Sequence, residues 1–451
     1  MTSPTSAKGH VPTGPTEHPA QRRILTVLVI SQILSGAGLA AGITIGALLA
    51  EEMFGSTGLA GIPSALFTAG AAVGAVAVGR ACQRWGRRPG LTVGYVAGTI
   101  GSLGVVLATA LDSIPLLCVG LLVYGIGTAT IMLVRYTGAD LASPERRARA
   151  VSTVLFALAA GTIAGPNLVG VTGDLADDWG LPRLSGPFLL AALAFGSAAV
   201  FVWIFLRPDP LLVSRALAAE AEAERLADPA EADVPAPGAT ISSAERRILV
   251  TGVTVMVLSQ IVMIAIMTMT PIHMSDHGHS TQSAGMVIGL HLGAMYLSSP
   301  ISGILADRIG RPFTAALGTM TMFAAALVAA LAPGHSMVAM SVALILLGLG
   351  WSMGFVSGTA LVTDALPPAT RAATQGTVDV GLAVAAATGG MASGLVFAGG
   401  GYDLLALSGG FLILVLAPLA ALLTLPASKA SGAAEAPSAA EAAQDDSVPN
   451  R

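Results

Sequence analysis

The sequence is poor in charge. Only 11% of its 451 residues are Asp, Glu, Lys or Arg, while 54% are hydrophobic. A water-soluble domain of this length carries about 25% charged residues, so a soluble fold is excluded. The chain is also poor in cysteine. Cys82 and Cys118 are its two thiols, which rules out a disulfide framework and a cysteine-rich metal motif. The map of apolar runs given below puts them at opposite membrane faces, too far apart to pair. No Gly-x-x-x-x-Gly-Lys phosphate loop and no nucleophile motif occurs. ATP drive within the chain and membrane-enzyme chemistry are therefore unsupported, and no cofactor or nucleic-acid partner is expected. The first 21 residues, rich in Pro, Thr and Ser, lack the layout of a cleavable signal.

What is present is apolar sequence in long runs. They lie near 24–49, 59–79, 90–111, 115–134, 151–173, 185–206, 248–272, 282–302, 313–332, 337–362, 373–398 and 404–425. Each is about 20 residues or longer, enough to cross a hydrocarbon core as a helix. Helices are required because lipid offers the backbone no hydrogen-bond partner. The expectation is an all-α integral membrane protein with twelve transmembrane helices in two duplicated six-helix halves. With both termini in the cytoplasm, every one of the 22 Lys and Arg residues except Arg183 falls on the cytoplasmic side, a clean positive-inside pattern. A cell membrane, plasma or inner, is the expected location.

The organisation reads as an N-terminal tail (1–23), a first half (24–206), a central loop (207–246), a second half (247–426) and a C-terminal tail (427–451) that is Ala, Ser and Glu rich and expected to be disordered. The loop begins with a stretch suited to an amphipathic surface helix and ends as a flexible linker. The halves are related by a constant offset of 224. AQRRIL at 20–25 returns as AERRIL at 244–249, Gly79 returns as Gly303, Gly86 as Gly310, and Asp140 with Arg147 as Asp364 with Arg371. Shared spacing across separate landmarks implies duplicated halves in parallel orientation.

Two charged hinges sit at equivalent places. GILADRIGRP (303–312) holds Gly303, Asp307, Arg308, Gly310 and Arg311. GRACQRWGRRP (79–89) holds Gly79, Gln83, Arg84, Gly86 and Arg87, with glutamine where the later copy has the acid. Twelve spans, a central loop and this hinge after spans 2 and 8 resemble the major facilitator superfamily of transporters. The likeness covers about residues 20–426. Gly161, Gly165, Pro166 and Gly170 in span 5 resemble the Gly-Pro motif of its proton-linked exporters, with Val169 in place of one glycine. Simple helix packing is the other reading of those residues. Departures exist: Leu121 stands where such exporters carry a span 4 arginine, and span 1 has no acid.

The resemblance implies rigid-body rocking of the halves about a central site. It implies that the first hinge closes the cytoplasmic side, with Arg84 or Arg87 pairing with Asp140 and residue 83 facing the start of span 11. The second copy offers Asp364 for the equivalent role. Substitution of Gln83 by Asp is expected to favour the outward-facing state. The hinge arginines also serve simply as topology determinants under a plainer reading.

Within the apolar runs as drawn there is one acid, Asp379, and one histidine, His291, with no Lys or Arg. Charge in a membrane is costly, so each calls for a reason. A buried carboxyl readily holds a proton, which makes Asp379 a proton-coupling candidate. A structural ion pair with a first-half hinge arginine is the alternative. His291 suits proton exchange or substrate contact, or a neutral interhelical hydrogen bond. Gln32, Asn167 and Gln260 are polar residues in spans 1, 5 and 7, and Trp351 and Phe355 in span 10 could stack on an aromatic substrate. Spans 1, 4, 7 and 10 line the cavity in the resembled family. Span 7 is rich in Met, a residue suited to a tolerant pocket. His273, Asp276, His277 and His279 lie within seven residues, but the sequence gives no ligand geometry, and no metal site is expected.

The function expected is secondary active transport, as proton-coupled efflux of small amphipathic organic molecules such as drugs or metabolites. An importer on the same fold and, remotely, a non-transporting sensor are the alternatives. Expected partners are a small-molecule substrate, the proton and the lipid bilayer, with the chain acting as a monomer.

Overall fold

The computed structural model describes residues 17–54, 62–227 and 242–422. The C-terminal tail, most of the N-terminal tail and the linker part of the central loop lie outside the described residues. The described chain is helical, with no strand: α1 (Gln21–Phe54), α2 (Ile62–Trp85), α3 (Arg87–Ala110), α4 (Ile114–Ala139), α5 (Arg147–Asp178), α6 (Gly186–Phe205), α7 (Pro210–Ala227), α8 (Ser243–Asp276), α9 (Thr281–Leu297), α10 (Ser299–Ile309), α11 (Arg311–Leu331), α12 (Met337–Ala365) and α13 (Arg371–Leu422). The twelve apolar runs fall on these helices wherever they are described. Among the described residues, ten segments are long and apolar enough to cross a membrane.

Local sequence explains the breaks. Gly86 (φ 99°) and Gly310 (φ 97°) separate α2 from α3 and α10 from α11 in a left-handed conformation that strains other residues. Pro300, second in α10, cannot donate to the preceding turn, and span 8 divides into α9 and α10 there. Gly400 and Gly401 (φ 75°) leave helical geometry, so α13 is two helices joined at this point, one carrying span 11 and the other span 12. A capping box starts α8, with the Ser242 hydroxyl accepting from the Glu245 N–H and the Glu245 carboxylate accepting from the Ser242 N–H.

The buried apolar core runs through both halves. In the first, Tyr124 meets Phe188 and Phe195 at ring distances of 5.5 and 5.7 Å. Large apolar side chains such as Leu193, Leu331 and Leu395 instead lie exposed on the outer helix faces. An apolar exterior of this extent suits lipid. The central-loop stretch read as a surface helix is helical, as α7, and it docks on the protein. Leu211 is buried, and the Asp209 carboxylate accepts from the backbone N–H of Arg88 at 2.7 Å and of Leu211 at 3.0 Å, capping α7 and tying it to the start of α3.

The halves meet where α2 packs on α13 and α5 on α10. Glycine permits the closest approach. A Cβ on Gly79 would stand 3.0 Å from the Ala372 carbonyl, and one on Gly303 would stand 2.8 Å from the Ala148 carbonyl. These four residues form two contacts related by the offset of 224.

Candidate functional site

A cavity of about 340 Å³ lies between the halves, walled by α1, α2, α4, α8, α9, α12 and α13. Its lining is mostly apolar, with Met263 and Met267 on α8 and Met295 on α9. Trp351 and Phe355, one turn apart on α12, stack at 4.3 Å and 17°. Tyr296 meets the Trp351 ring edge-on at 6.0 Å, and the Trp351 indole N–H donates to Gln260 Oε1 at 3.0 Å.

One carboxylate reaches this cavity, that of Asp379. Its partner is Arg135, which belongs to α4 of the other half. Arg135 Nη2 donates to Asp379 Oδ1 at 2.6 Å, Nη1 donates to Oδ2 at 3.2 Å, and the Tyr136 hydroxyl donates to Oδ1 at 3.2 Å. The guanidinium is fully buried between the Tyr136 ring (4.2 Å) and the Phe355 ring (4.6 Å), and its Nε donates to the Thr359 hydroxyl at 3.3 Å. The pair thus bridges the two halves beneath the aromatic stack. The expectation of no arginine within the spans is corrected here, as is that of a hinge arginine as partner. α4 runs five residues past the apolar run because its arginine is neutralised by the facing helix.

The hinges interlock at the arginine-rich end. Arg87 Nε donates to Asp140 Oδ2 at 2.7 Å with both side chains fully buried, and Arg87 Nη2 donates to Gln375 Oε1 at 2.6 Å across the interface. Arg371 lies 3.8 Å from Asp140. In the second copy Arg311 and Arg147 both pair with Asp364, the latter at 2.6 Å. Gln83 Oε1 accepts from the N–H groups of Ala372 and Ala373 at 2.9 and 3.3 Å. Asp307 does the same at the start of α5, accepting from Ala148 at 3.1 Å and Arg149 at 3.0 Å, with the Arg149 side chain at 3.2 Å. Residues 83 and 307 therefore cap the helix starts that oppose them. From α7, Arg215 donates to the Gln83 carbonyl at 2.6 Å and to the Pro368 carbonyl at 3.2 Å, touching both halves.

The sequence profile of the Major Facilitator Superfamily matches residues 28–291 and 252–445. A curated relative, the uncharacterized MFS-type transporter YdeG of Bacillus subtilis, is 50% identical over 88% of this chain and 91% of its own. The chain belongs to the major facilitator superfamily. The riboflavin transporter RfnT of Brucella anthropi is 32% identical over 81% of this chain and 86% of its own. Among solved structures, the proton:xylose symporter XylE superposes with a TM-score of 0.69 at 16% identity, over 90% of this chain and 96% of its own, which shows a shared fold. Members of the superfamily are transporters, not enzymes, and this chain is a multi-pass membrane transporter.

The superfamily fold brings Gln260, Trp351, Phe355 and Asp379 together at the cavity and leaves other candidates elsewhere. Gln32 does not line it. Gln32 is fully buried inside the first half, where its Nε2 donates to the Ile131 carbonyl at 3.2 Å and the Tyr95 hydroxyl donates to its Oε1 at 3.5 Å. His291 is turned from the cavity as well, with Nδ1 2.8 Å from the Leu344 carbonyl. Side-chain placement of Asn167, Gly165 and Pro166 lies outside the described residues. Gly161 packs against α1, where a Cβ would stand 2.7 Å from the Gly36 Cα, whereas Gly170 meets nothing within 4 Å. Of the hinge arginines, Arg84 and Arg308 are exposed and make no ion pair among the described residues, so Arg87 is the partner of Asp140. His277 Nδ1 bonds the His273 carbonyl and His279 Nε2 bonds that of Gly334, and no metal-binding cluster forms among the described residues. Sequence reasoning missed Arg135, Tyr136, Tyr296, Gln375 and Arg215. For Arg135 the available signal was its place one residue beyond an apolar run.

Proposed function

We propose that this transporter exports small amphipathic organic molecules by alternating access, driven by proton entry. It sits in a plasma or inner membrane with both termini and the arginine-rich end in the cytoplasm. The observation that carries this reading is the mostly apolar cavity between the halves, with a single carboxylate whose counter-ion comes from the opposite half. Protonation of Asp379 removes the charge that holds Arg135, loosening a bridge made only when the arginine-rich end is shut. Contacts of that kind bias an equilibrium between states. Two hinges, each ending on a helix start of the facing half, act as the latch of the same state. The Trp351–Phe355 stack and flexible Met side chains suit a flat, largely apolar solute, and the 32% identity to a riboflavin transporter supports such a solute. His291, bonded within its own half, is assigned a packing role.

The test is proton movement in proteoliposomes holding an inside-acid gradient, challenged with neutral aromatic compounds and lipophilic cations. Collapse of the gradient on adding a compound, lost in Asp379→Asn and kept in His291→Gln, is the expected result. Collapse that survives Asp379→Asn removes Asp379 from coupling. Accumulation of the compound together with protons assigns import instead.

A further inference from the structure

The polar groups that this cavity leaves unused point to one substrate chemistry. Trp351 Nε1 is a donor and nothing else, so the Gln260 amide must face it with oxygen, at 3.0 Å. That fixes the amide orientation. Its NH2 group is left with two donors and no partner among the described residues, on a side chain that lines the cavity. Tyr296, on the neighbouring wall, has a hydroxyl without a hydrogen bond among the described residues. The Thr128 hydroxyl already donates to the Gly125 carbonyl at 2.7 Å.

The acceptors each have a donor already. Both Asp379 oxygens receive Arg135, and one also receives Tyr136. Arg135 behind the wall neutralises Asp379, the charged residue of the lining, so the pair offers no net charge to a guest. Desolvating a cation without a free counter-charge is strongly unfavourable.

We infer that the site selects uncharged planar aromatic molecules bearing hydrogen-bond acceptors, such as ring carbonyls, and rejects organic cations. The ring lies against the Trp351 edge of the aromatic stack, while a carbonyl takes the Gln260 amide N–H and the Tyr296 hydroxyl. The cavity volume, about 340 Å³, lies at the small end of ligand sites, in keeping with a compact ring system. This inference rests on the reading of the cavity as the substrate site. It narrows amphipathic molecules to a donor-recognised, neutral class.

Three probes of nearly equal size separate the possibilities: coumarin, with a ring carbonyl; naphthalene, with no acceptor; and N-methylquinolinium, a cation. Binding to the purified full-length chain in nanodiscs is read by tryptophan quenching, with Trp351→Phe showing which signal is local. Coumarin is expected to bind about tenfold more tightly than naphthalene, the usual effect of one satisfied hydrogen bond, and N-methylquinolinium least. Gln260→Glu keeps an acceptor for Trp351 but replaces the free donors by a carboxylate. It should weaken coumarin about tenfold and raise N-methylquinolinium above it. Tyr296→Phe, a milder change, should weaken coumarin several-fold with no gain for the cation. A wild-type preference for the cation, or an unchanged order in both variants, overturns this inference and leaves the cavity reading standing. Failure of all three probes to bind overturns both.

Discussion

Replacement of Asp379 by Asn is the most demanding test of the bridge between the halves. Arg135 would keep the Met132 carbonyl, the Tyr136 hydroxyl and the Thr359 hydroxyl, but lose its only counter-charge among the described residues. The Asp379 side chain is 6% exposed and that of Arg135 is fully buried, so the guanidinium itself has no direct contact with water. Removing one partner of a buried ion pair costs about 3–5 kcal/mol. The bridge joins α4 to α13, so this cost falls on the state with the arginine-rich end shut. A state that opens that end to water relieves it. At about 1.4 kcal/mol per factor of ten, the ratio of states should move on the order of a thousandfold. Spin labels at Arg84 and Arg308, both exposed and one on each half, report the separation of the two hinges. Pulsed electron paramagnetic resonance should find mainly the short separation in the parent and mainly the long one in Asp379→Asn. The double change Arg135→Met with Asp379→Leu should return most of the short population, because exchange of a buried pair for apolar side chains is often neutral. An unchanged distance distribution in Asp379→Asn would refute the view that this pair holds the end shut.

The latch yields two further expectations. Gly303→Val should open the same end by the same measurement, by roughly five- to 150-fold if overpacking costs about 1–3 kcal/mol, because its side chain would press on the Ala148 carbonyl and Ser152; retention of the short separation would show that α5 and α10 yield easily. Gln83→Asp keeps acceptors for the Ala372 and Ala373 N–H groups and gains about 0.3–1 kcal/mol at the start of α13, while losing the amide donation to the Ala369 carbonyl. Cysteines placed in the cavity should then become several-fold more reactive from the side opposite the hinges, and unchanged labelling would remove residue 83 from the balance.

Most of the fold was legible because run length and the repeat at 224 act over many residues. The hinges were legible because glycine at positive φ and paired arginines leave a local mark at Gly86 and Gly310. The rotation of each helix was harder. Gln32 and Gln260 are the same residue type in equivalent spans, yet one bonds inside its half and the other faces the cavity. The stripe Gln260, Met263, Met267, with spacing near one helical turn, carries that information, as do Trp351 and Phe355 four apart. His291 gave no such stripe. Arg135 escaped notice because hydropathy ends a run at the first charge, whereas a helix continues wherever the opposite wall supplies the counter-ion.

The 3.3 Å contact of Arg135 with Thr359 joins two residues that are one another's copies, 224 positions apart. A residue that touches its own copy sits on the axis relating the two halves. At such a point a duplicated chain faces a constraint that positions off the axis do not. Were both copies arginine, two guanidinium groups would be pressed together with one acid to serve them, because the counterpart of Asp379 is Leu155. Symmetry can persist through the hinges, which lie off the axis and tolerate a charge in each copy. On the axis only one half can own the charge.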